Sequence, residues 1–356
     1  MSAPRRWDIF CRVIDNHGDL GVAWRLAADL AGRGEQVRLW VDDASALAWM
    51  APQGQAGVER VAWSEPAPDL EPGEVVVEAF GCALPPRFLA RMADRAPAPD
   101  WFDLEYLSAE AFVERSHGLP SPQTLADGRT LLRRMVFPGF TPRSGGLLRE
   151  PGLLAQRDAF DPAPWLAAHG IAAHPGERIA SLFCYANPAL PAMLDLLAAE
   201  PTLLLAAPGP GAGQLSALLG PGLRRGALRV QCLPWLTQPD YDRLLWSCEL
   251  NFVRGEDSFV RAQWAGQPFV WQAYPQRAEA HRAKLLAFLD RMLAGAAPRL
   301  GAALRALMLA WNGFAPVPET LPPPEAWRRQ VRAWRAALYA QADLSTQLLG
   351  QLAKTR

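Results

Sequence analysis

The feature that most constrains this chain is an alternation of short apolar segments with amphipathic stretches, run through twice. Ile9–Ile14 reads as a buried strand, and Gly21–Leu30 as a helix with Ala23, Leu26, Ala27 and Leu30 on one face. Val37–Val41, Val58–Trp63, Val75–Ala79 and Trp101–Leu104 read as further strands, with helices at Ser45–Met50 and Pro86–Met92. Leu119–Glu150 is rich in Pro, Gly and Arg and is expected to be irregular. A second series starts near Arg178, with strands at Ile179–Phe183, Thr202–Ala207, Leu228–Cys232, Glu249–Val253 and Phe269–Gln272. Its helices are Ala192–Ala199, Asp240–Trp246, Ser258–Ala265 and Arg277–Leu293, and amphipathic helices at Ala326–Ala340 and Thr346–Leu352 follow. Strands separated by helices pair in parallel through crossovers, so the expected fold class is α/β. At 356 residues the chain exceeds one typical core. Two Rossmann-like domains are expected, residues 1–170 completed by a helix at 335–356, and residues 171–334. A cleft between two such domains is where a ligand would sit.

Composition removes several function classes. The 36 basic and 36 acidic side chains cancel, which argues against a nucleic-acid-coating surface. No apolar run reaches the ~20 residues of a membrane helix, and Met1–Trp7 lacks a signal-peptide core. The five cysteines, Cys11, Cys82, Cys184, Cys232 and Cys248, are scattered singly. They imply no disulfide framework and favour a reducing cytoplasm. Lysine occurs only at Lys284 and Lys354, a bias toward arginine. No Walker loop exists, and Schiff-base chemistry would rest on Lys284 alone.

The first strand-to-helix turn is Ile14-Asp15-Asn16-His17-Gly18-Asp19-Leu20-Gly21. In an open α/β sheet this turn lies at the ligand-binding edge. A dinucleotide fingerprint would place glycines there, whereas Asp15 and Asp19 repel phosphate and suit a cationic or hydroxylic partner. The plainer alternative is that both acids cap the helix and ease its dipole. The second constellation is Arg254-Gly255-Glu256-Asp257-Ser258, a strand end, a tight turn and a helix start. Such a start can bind phosphate oxygens, with Ser258 adding a hydroxyl, Arg254 a charge, and Glu256 and Asp257 accepting from ligand hydroxyls. An ordinary capped helix is the competing reading. Phe183 and Tyr185 alternate onto one face, available to a base or to a core. Pro208-Gly209-Pro210-Gly211-Ala212-Gly213 resembles a phosphate loop but suits a surface connection. Asp240-Tyr241-Asp242 has the two-acid spacing of metal-dependent sugar transferases, although a capping role after Pro239 fits better. His17, His117, His169, His174 and His281 lack zinc spacing, and no serine-hydrolase elbow occurs.

Several of these strings together resemble one family. Trp7-Asp8-Ile9-Phe10-Cys11, the Asp15–Gly21 turn, Trp24-Arg25-Leu26 and Val37–Asp43 are similar to the start of EarP proteins, bacterial arginine rhamnosyltransferases that modify elongation factor P. Leu244–Cys248 and Arg254–Trp264 extend the resemblance, which runs to at least Gln276. His17 stands where the family usually has an aromatic residue, and Trp235 where Phe is usual. The resemblance implies a GT-B fold, with the acceptor in the N-terminal domain and the donor in the C-terminal one. It implies dTDP-β-L-rhamnose as donor, one arginine of elongation factor P as acceptor, inversion, no metal and no cofactor. The modified factor would rescue ribosomes stalled at polyproline. Asp19 is expected as the base and Asp15 as the acid that holds or polarises the guanidinium, with their roles exchangeable and Asn16 beside them on the acceptor. Phe183 is expected against thymine, Tyr185 toward the phosphates, Trp235 opposite the base, and Arg254, Glu256, Asp257 and Ser258 around the donor, with Glu256 also expected among the catalytic residues. Without the resemblance, a GT-B sugar transferase without a protein acceptor, a dinucleotide enzyme and a non-catalytic nucleotide-sugar binding protein would compete.

Overall fold

Along the first strand, Trp7, Ile9 and Cys11 alternate with Asp8 and Phe10, and both sets are buried. A strand buried on both faces belongs inside a sheet covered by helices on each side. The computed structural model, which describes residues 3–14, 17–275 and 280–353, shows that arrangement in each of two units. Unit one comprises Met1–Pro151 with Tyr339–Arg356, and unit two Gly152–Leu338.

The elements of the first unit are β1 (Arg6–Cys11), α1 (Gly18–Gly32), β2 (Gln36–Val41), α2 (Leu47–Met50), β3 (Val58–Ala62), β4 (Val75–Ala79), α3 (Pro86–Asp94), β5 (Asp100–Leu104), α4 (Ala111–Ser116), β6 (Pro120–Thr124) and β7 (Thr130–Val136). Among the described residues they build a seven-stranded sheet in the order β3-β2-β1-β4-β5-β7-β6. All pairings are parallel except β6–β7. One face packs Trp7, Ile9, Leu39 and Val77 against Leu26 and Leu30 of α1. The other packs Phe10, Trp40, Val76 and Trp101 against Phe88 and Met92 of α3. Asp8 is fully buried on this second face. It is satisfied by Arg38 Nε and Nη2 at 2.7 and 2.8 Å, Trp40 Nε1 at 2.7 Å and the Gly73 amide at 2.7 Å. A buried carboxylate is tolerated only with such a full set of donors.

The second unit holds α5 (Leu153–Ala159), α6 (Pro162–Ala168), β8 (Arg178–Leu182), α7 (Leu190–Leu197), β9 (Thr202–Ala206), α8 (Pro210–Leu219), β10 (Arg224–Arg225), β11 (Leu228–Cys232), α9 (Gln238–Ser247), β12 (Leu250–Arg254), α10 (Asp257–Ala265), β13 (Phe269–Gln272), α11 (Ala280–Met292), α12 (Pro298–Trp311) and α13 (Pro324–Tyr339). The sheet order is β10-β11-β9-β8-β12-β13. The final helix, α14 (Leu344–Ala353), returns to the first unit, where Leu344, Leu348 and Leu352 join the core around α1. No helix among the described residues is long and apolar enough to cross a membrane.

The organisation departs from expectation in several places. The division falls after Pro151 rather than at 170, because Trp165 of α6 packs with Leu203, Leu205 and Leu244 of the second unit. The chain returns to the first unit at Tyr339 rather than 335. The stretch expected to be irregular contains the β6–β7 hairpin. Pro120 and Pro122 are accommodated because β6 is an edge strand, where a missing amide leaves no ladder bond unmade.

Candidate active site

In a doubly wound sheet, ligands meet the carboxyl ends of the strands where the strand order reverses. In the first unit that point lies between β1 and β4. Asp19 sits there, in the first turn of α1, where a negative charge complements the helix dipole. It is not the cap: the N-cap position belongs to His17, whose ring stands edge-on to Trp49 at 5.3 Å. Nor is it a solvent-facing acid, being only 3% exposed. Its Oδ2 accepts the amide of Ile14 at 2.9 Å, which ties the strand-to-helix loop to the carboxylate. Burial pushes the Cys11 thiol well above its usual range, and the Asp19 charge adds to the effect. Asp15 and Asn16, expected beside Asp19, lie outside the described residues.

Neighbouring strand ends add residues that motif reading had not assigned to a site. Asp42, after β2, accepts the amides of Val13 and Asp43, both at 3.0 Å. Asp43 is held below its ordinary carboxylate range by its hydrogen bonds from Ser45. After β4, Phe80 takes up a left-handed φ of 60° and stacks on Tyr106, which follows β5, at 4.8 Å. A non-glycine residue in that conformation is strained and marks a constrained position. Acids and stacked aromatic rings on one sheet edge suit a planar cation such as a guanidinium.

In the second unit the strand order reverses between β8 and β12. Arg254 ends β12 and is 6% exposed. Its Cζ lies 4.2 Å from the ring centre of Phe183 and 4.5 Å from that of Tyr185, both of which follow β8. Each of the two rings therefore lays one face against the guanidinium. Behind them, Tyr241 stands edge-on to Phe183 and Tyr274 to Tyr185. Gln272 Oε1 accepts the Tyr185 amide at 2.9 Å. Among the described residues, Nη1 of Arg254 is buried with no hydrogen-bond partner. An unmet buried cationic donor is costly, and an incoming anion would relieve it.

Gly255 makes the turn after Arg254 with φ at 59°, a conformation glycine adopts without strain. Glu256 takes the N-cap position of α10 and Asp257 starts the helix. Ser258 Oγ accepts the Arg254 amide at 3.1 Å and donates to the Arg254 carbonyl at 2.5 Å. This hydroxyl is spent on bracing Arg254, whereas the sequence suggested a direct phosphate donor. Lys284 Nζ donates to Glu256 Oε1 at 3.2 Å. Trp235 is 40% exposed on the loop after β11, and β11 lies two strands from β8.

The weaker motifs resolve into structure. Pro210–Gly213 forms the first turn of α8, with Gly209 at φ 133° as its N-cap, rather than a surface connection. A Cβ at Gly211 would come within 2.5 Å of Cys184 Sγ, so this glycine allows close packing. Thr237 caps α9 by accepting the Asp240 amide, and its hydroxyl donates to the Asp240 carboxylate. Asp242 is buried in a bidentate pair with Arg261 at 2.8 and 2.7 Å.

Residues 7–353 match the family model described as Elongation-Factor P (EF-P) rhamnosyltransferase EarP. The chain belongs to the EarP family. A protein-arginine rhamnosyltransferase of Pseudomonas aeruginosa is 45% identical over 96% of this chain and 97% of its own length. A Shewanella oneidensis protein of the same name is 36% identical over 98% of each chain. A solved structure concerning EarP-mediated arginine glycosylation of translation elongation factor EF-P has a TM-score of 0.68. It is 35% identical, with 99% of this chain and all of the other covered. The glycosyltransferase SnogD of Streptomyces nogalater, 16% identical, shares the fold at a TM-score of 0.55 with full coverage of both chains. The fold class is thus α/β with two Rossmann-like units, the GT-B class. The EarP match spans both strand-order reversals.

Proposed function

We propose that this chain transfers L-rhamnose from dTDP-β-L-rhamnose to one arginine of elongation factor P in the cytoplasm, with inversion at the anomeric carbon. The modified factor would then relieve ribosomes stalled at polyproline. In this reading the first unit takes the acceptor and the second the donor. The observation that carries it is Arg254, a buried cation clasped by Phe183 and Tyr185 with an unmet donor, beside the start of α10. That arrangement calls for an anionic ligand such as a diphosphate, and EarP family membership supplies the sugar and the acceptor.

The chemistry follows from the residue types. A guanidinium has a pKa above ~12 and no lone pair suited to attack. A carboxylate can bind its planar fork, orient one nitrogen and take a proton as the carbon–nitrogen bond forms. Asp19 is that base, with its Oδ2 held by the Ile14 amide. Asp15 polarises the guanidinium, Asn16 adds to the acceptor's contacts, and the two acids could exchange roles. The nitrogen attacks the anomeric carbon from the face opposite the diphosphate, whose carbon–oxygen bond breaks. Charge growing on the departing diphosphate is met by Arg254 and the amides at Asp257–Ser258, which do the work of a divalent ion. Glu256 accepts from a sugar or ribose hydroxyl, since a carboxylate beside a diphosphate is otherwise unfavourable. Phe183 and Trp235 serve the thymine, and Tyr185 the phosphates.

Incubation of the chain with elongation factor P and dTDP-rhamnose, with chelator present and intact mass as readout, tests the proposal. A gain of one deoxyhexose supports transfer. Unchanged mass with retained dTDP binding would make the chain a nucleotide-sugar binding protein instead.

A further inference from the structure

Gln272 ends β13 and is only 6% exposed, although a carboxamide at a strand end is usually left to solvent. It pairs in register with Arg254 of β12, so the two side chains leave the sheet on the same side. The Gln272 side chain then reaches past the end of β12 to the chain that follows β8, where its Oε1 accepts the Tyr185 amide at 2.9 Å. Its backbone carbonyl accepts the Gly255 amide at 3.2 Å, in the turn that leads into α10. One residue therefore ties down both segments that flank the Arg254 guanidinium.

The two ends of the carboxamide are not equivalent here. A backbone N–H can only donate, so the oxygen must face Tyr185 and the NH2 group is turned away, with two protons to give. Among the described residues this NH2 group donates to no acceptor. Nη1 of its register partner Arg254 is likewise buried without one. Two donors on neighbouring strand ends, neither with an acceptor, suit an anion: the guanidinium supplies charge and the neutral amide adds direction. We propose that Gln272 is a further donor-site residue, whose Nε2 hydrogen-bonds a diphosphate oxygen of the nucleotide sugar beside Arg254. The inference rests on the transfer reading above and deepens it, adding a residue from a third strand to the leaving-group site. The bond strengthens as the anomeric carbon–oxygen bond breaks and charge gathers on the diphosphate. It also accounts for a glutamine where a glutamate would hold the Tyr185 amide equally well, since a glutamate would turn a negative oxygen toward the phosphates.

Q272E tests this with the least change of shape, because it keeps an oxygen for the Tyr185 amide and replaces only the NH2 group. Titrated calorimetrically, dTDP should bind Q272E about 10- to 100-fold more weakly than wild type, the scale of one lost bond to a charged group. Q272M, of similar length and without either polar end, should weaken dTDP by about tenfold. Thymidine carries no phosphate, and ligand-observed NMR should show it binding both variants as it binds the wild type. Unchanged dTDP affinity in either variant overturns the proposal. Thymidine and dTDP weakened alike also overturn it, and reduce Gln272 to a brace for Tyr185. A wild type that binds dTDP but adds no deoxyhexose to elongation factor P refutes the transfer reading alone, and the dTDP series still decides the role of Gln272. A wild type that binds no dTDP refutes both.

Discussion

Replacing Asp103 by asparagine should flatten part of the pH dependence of stability. Asp103 of β5 is 3% exposed and is paired across the sheet with Glu78 of β4, which is 5% exposed. Both share Arg133 of β7, whose Nη1 lies 3.1 Å from each carboxylate. Burial raises Asp103 from its ordinary 3.8 to about 6, against the lowering effect of Arg133, and burial raises Glu78 as well. Among the described residues, Oδ1 of Asp103 and Nε of Arg133 are buried without hydrogen-bond partners. One guanidinium thus serves two carboxylates, and a proton held on one of them eases the crowding. Because the folded state binds this proton more tightly than the unfolded chain, its contribution is fully present below the unfolded value. It fades as pH rises through about 6. Between about pH 4.5 and 7.5 the linkage is worth about 2 kcal/mol. Asparagine cannot titrate, so the wild type should gain about 2 kcal/mol over D103N on acidification across that range. Urea unfolding of both proteins at the two pH values measures the difference, with hydrogen exchange on β4–β5 peptides assigning the transition to this unit. Parallel pH profiles for the two proteins would refute the assignment of the proton to Asp103.

Other predictions concern turnover and the donor turn. D19N should abolish turnover, because the amide keeps the shape of the side chain but cannot accept a proton; near-normal rates in the mass assay would remove Asp19 as base. S258A should weaken dTDP binding by ~1 kcal/mol, the scale of one hydrogen bond. Since Ser258 Oγ bonds to the backbone of Arg254, this loss reflects a slackened Arg254. An unchanged calorimetric dissociation constant would show that the brace does not matter.

Much of the fold was legible because fully buried parallel strands are apolar runs. Val75–Ala79 and Phe269–Gln272 occupy the spans their composition predicts. The first strand lies earlier than expected, at Arg6–Cys11, because Asp8 looks polar locally yet is buried by donors from Arg38, Trp40 and Gly73. Such long-range pairing leaves no local trace, and the same holds for Glu78, Asp103 and Arg133. The helix α12 is a further element beyond those expected, its Leu300, Leu304, Leu307, Met308 and Trp311 repeating at helical spacing and buried. Of the site, the acid turn and the Arg254–Ser258 string stood out because small, acidic and basic residues interrupt apolar elements there. The clasp of Arg254 by Phe183 and Tyr185 did not. It joins the ends of two strands that become neighbours only when the sheet forms.

The division of labour between the units is tested most directly by titrating dTDP calorimetrically into the wild type, D19N and R254M. The dissociation constant should be unchanged in D19N. It should rise by about tenfold or more in R254M, in keeping with the loss of a charge-assisted bond. Donor binding lost in D19N, or retained in R254M, would contradict it.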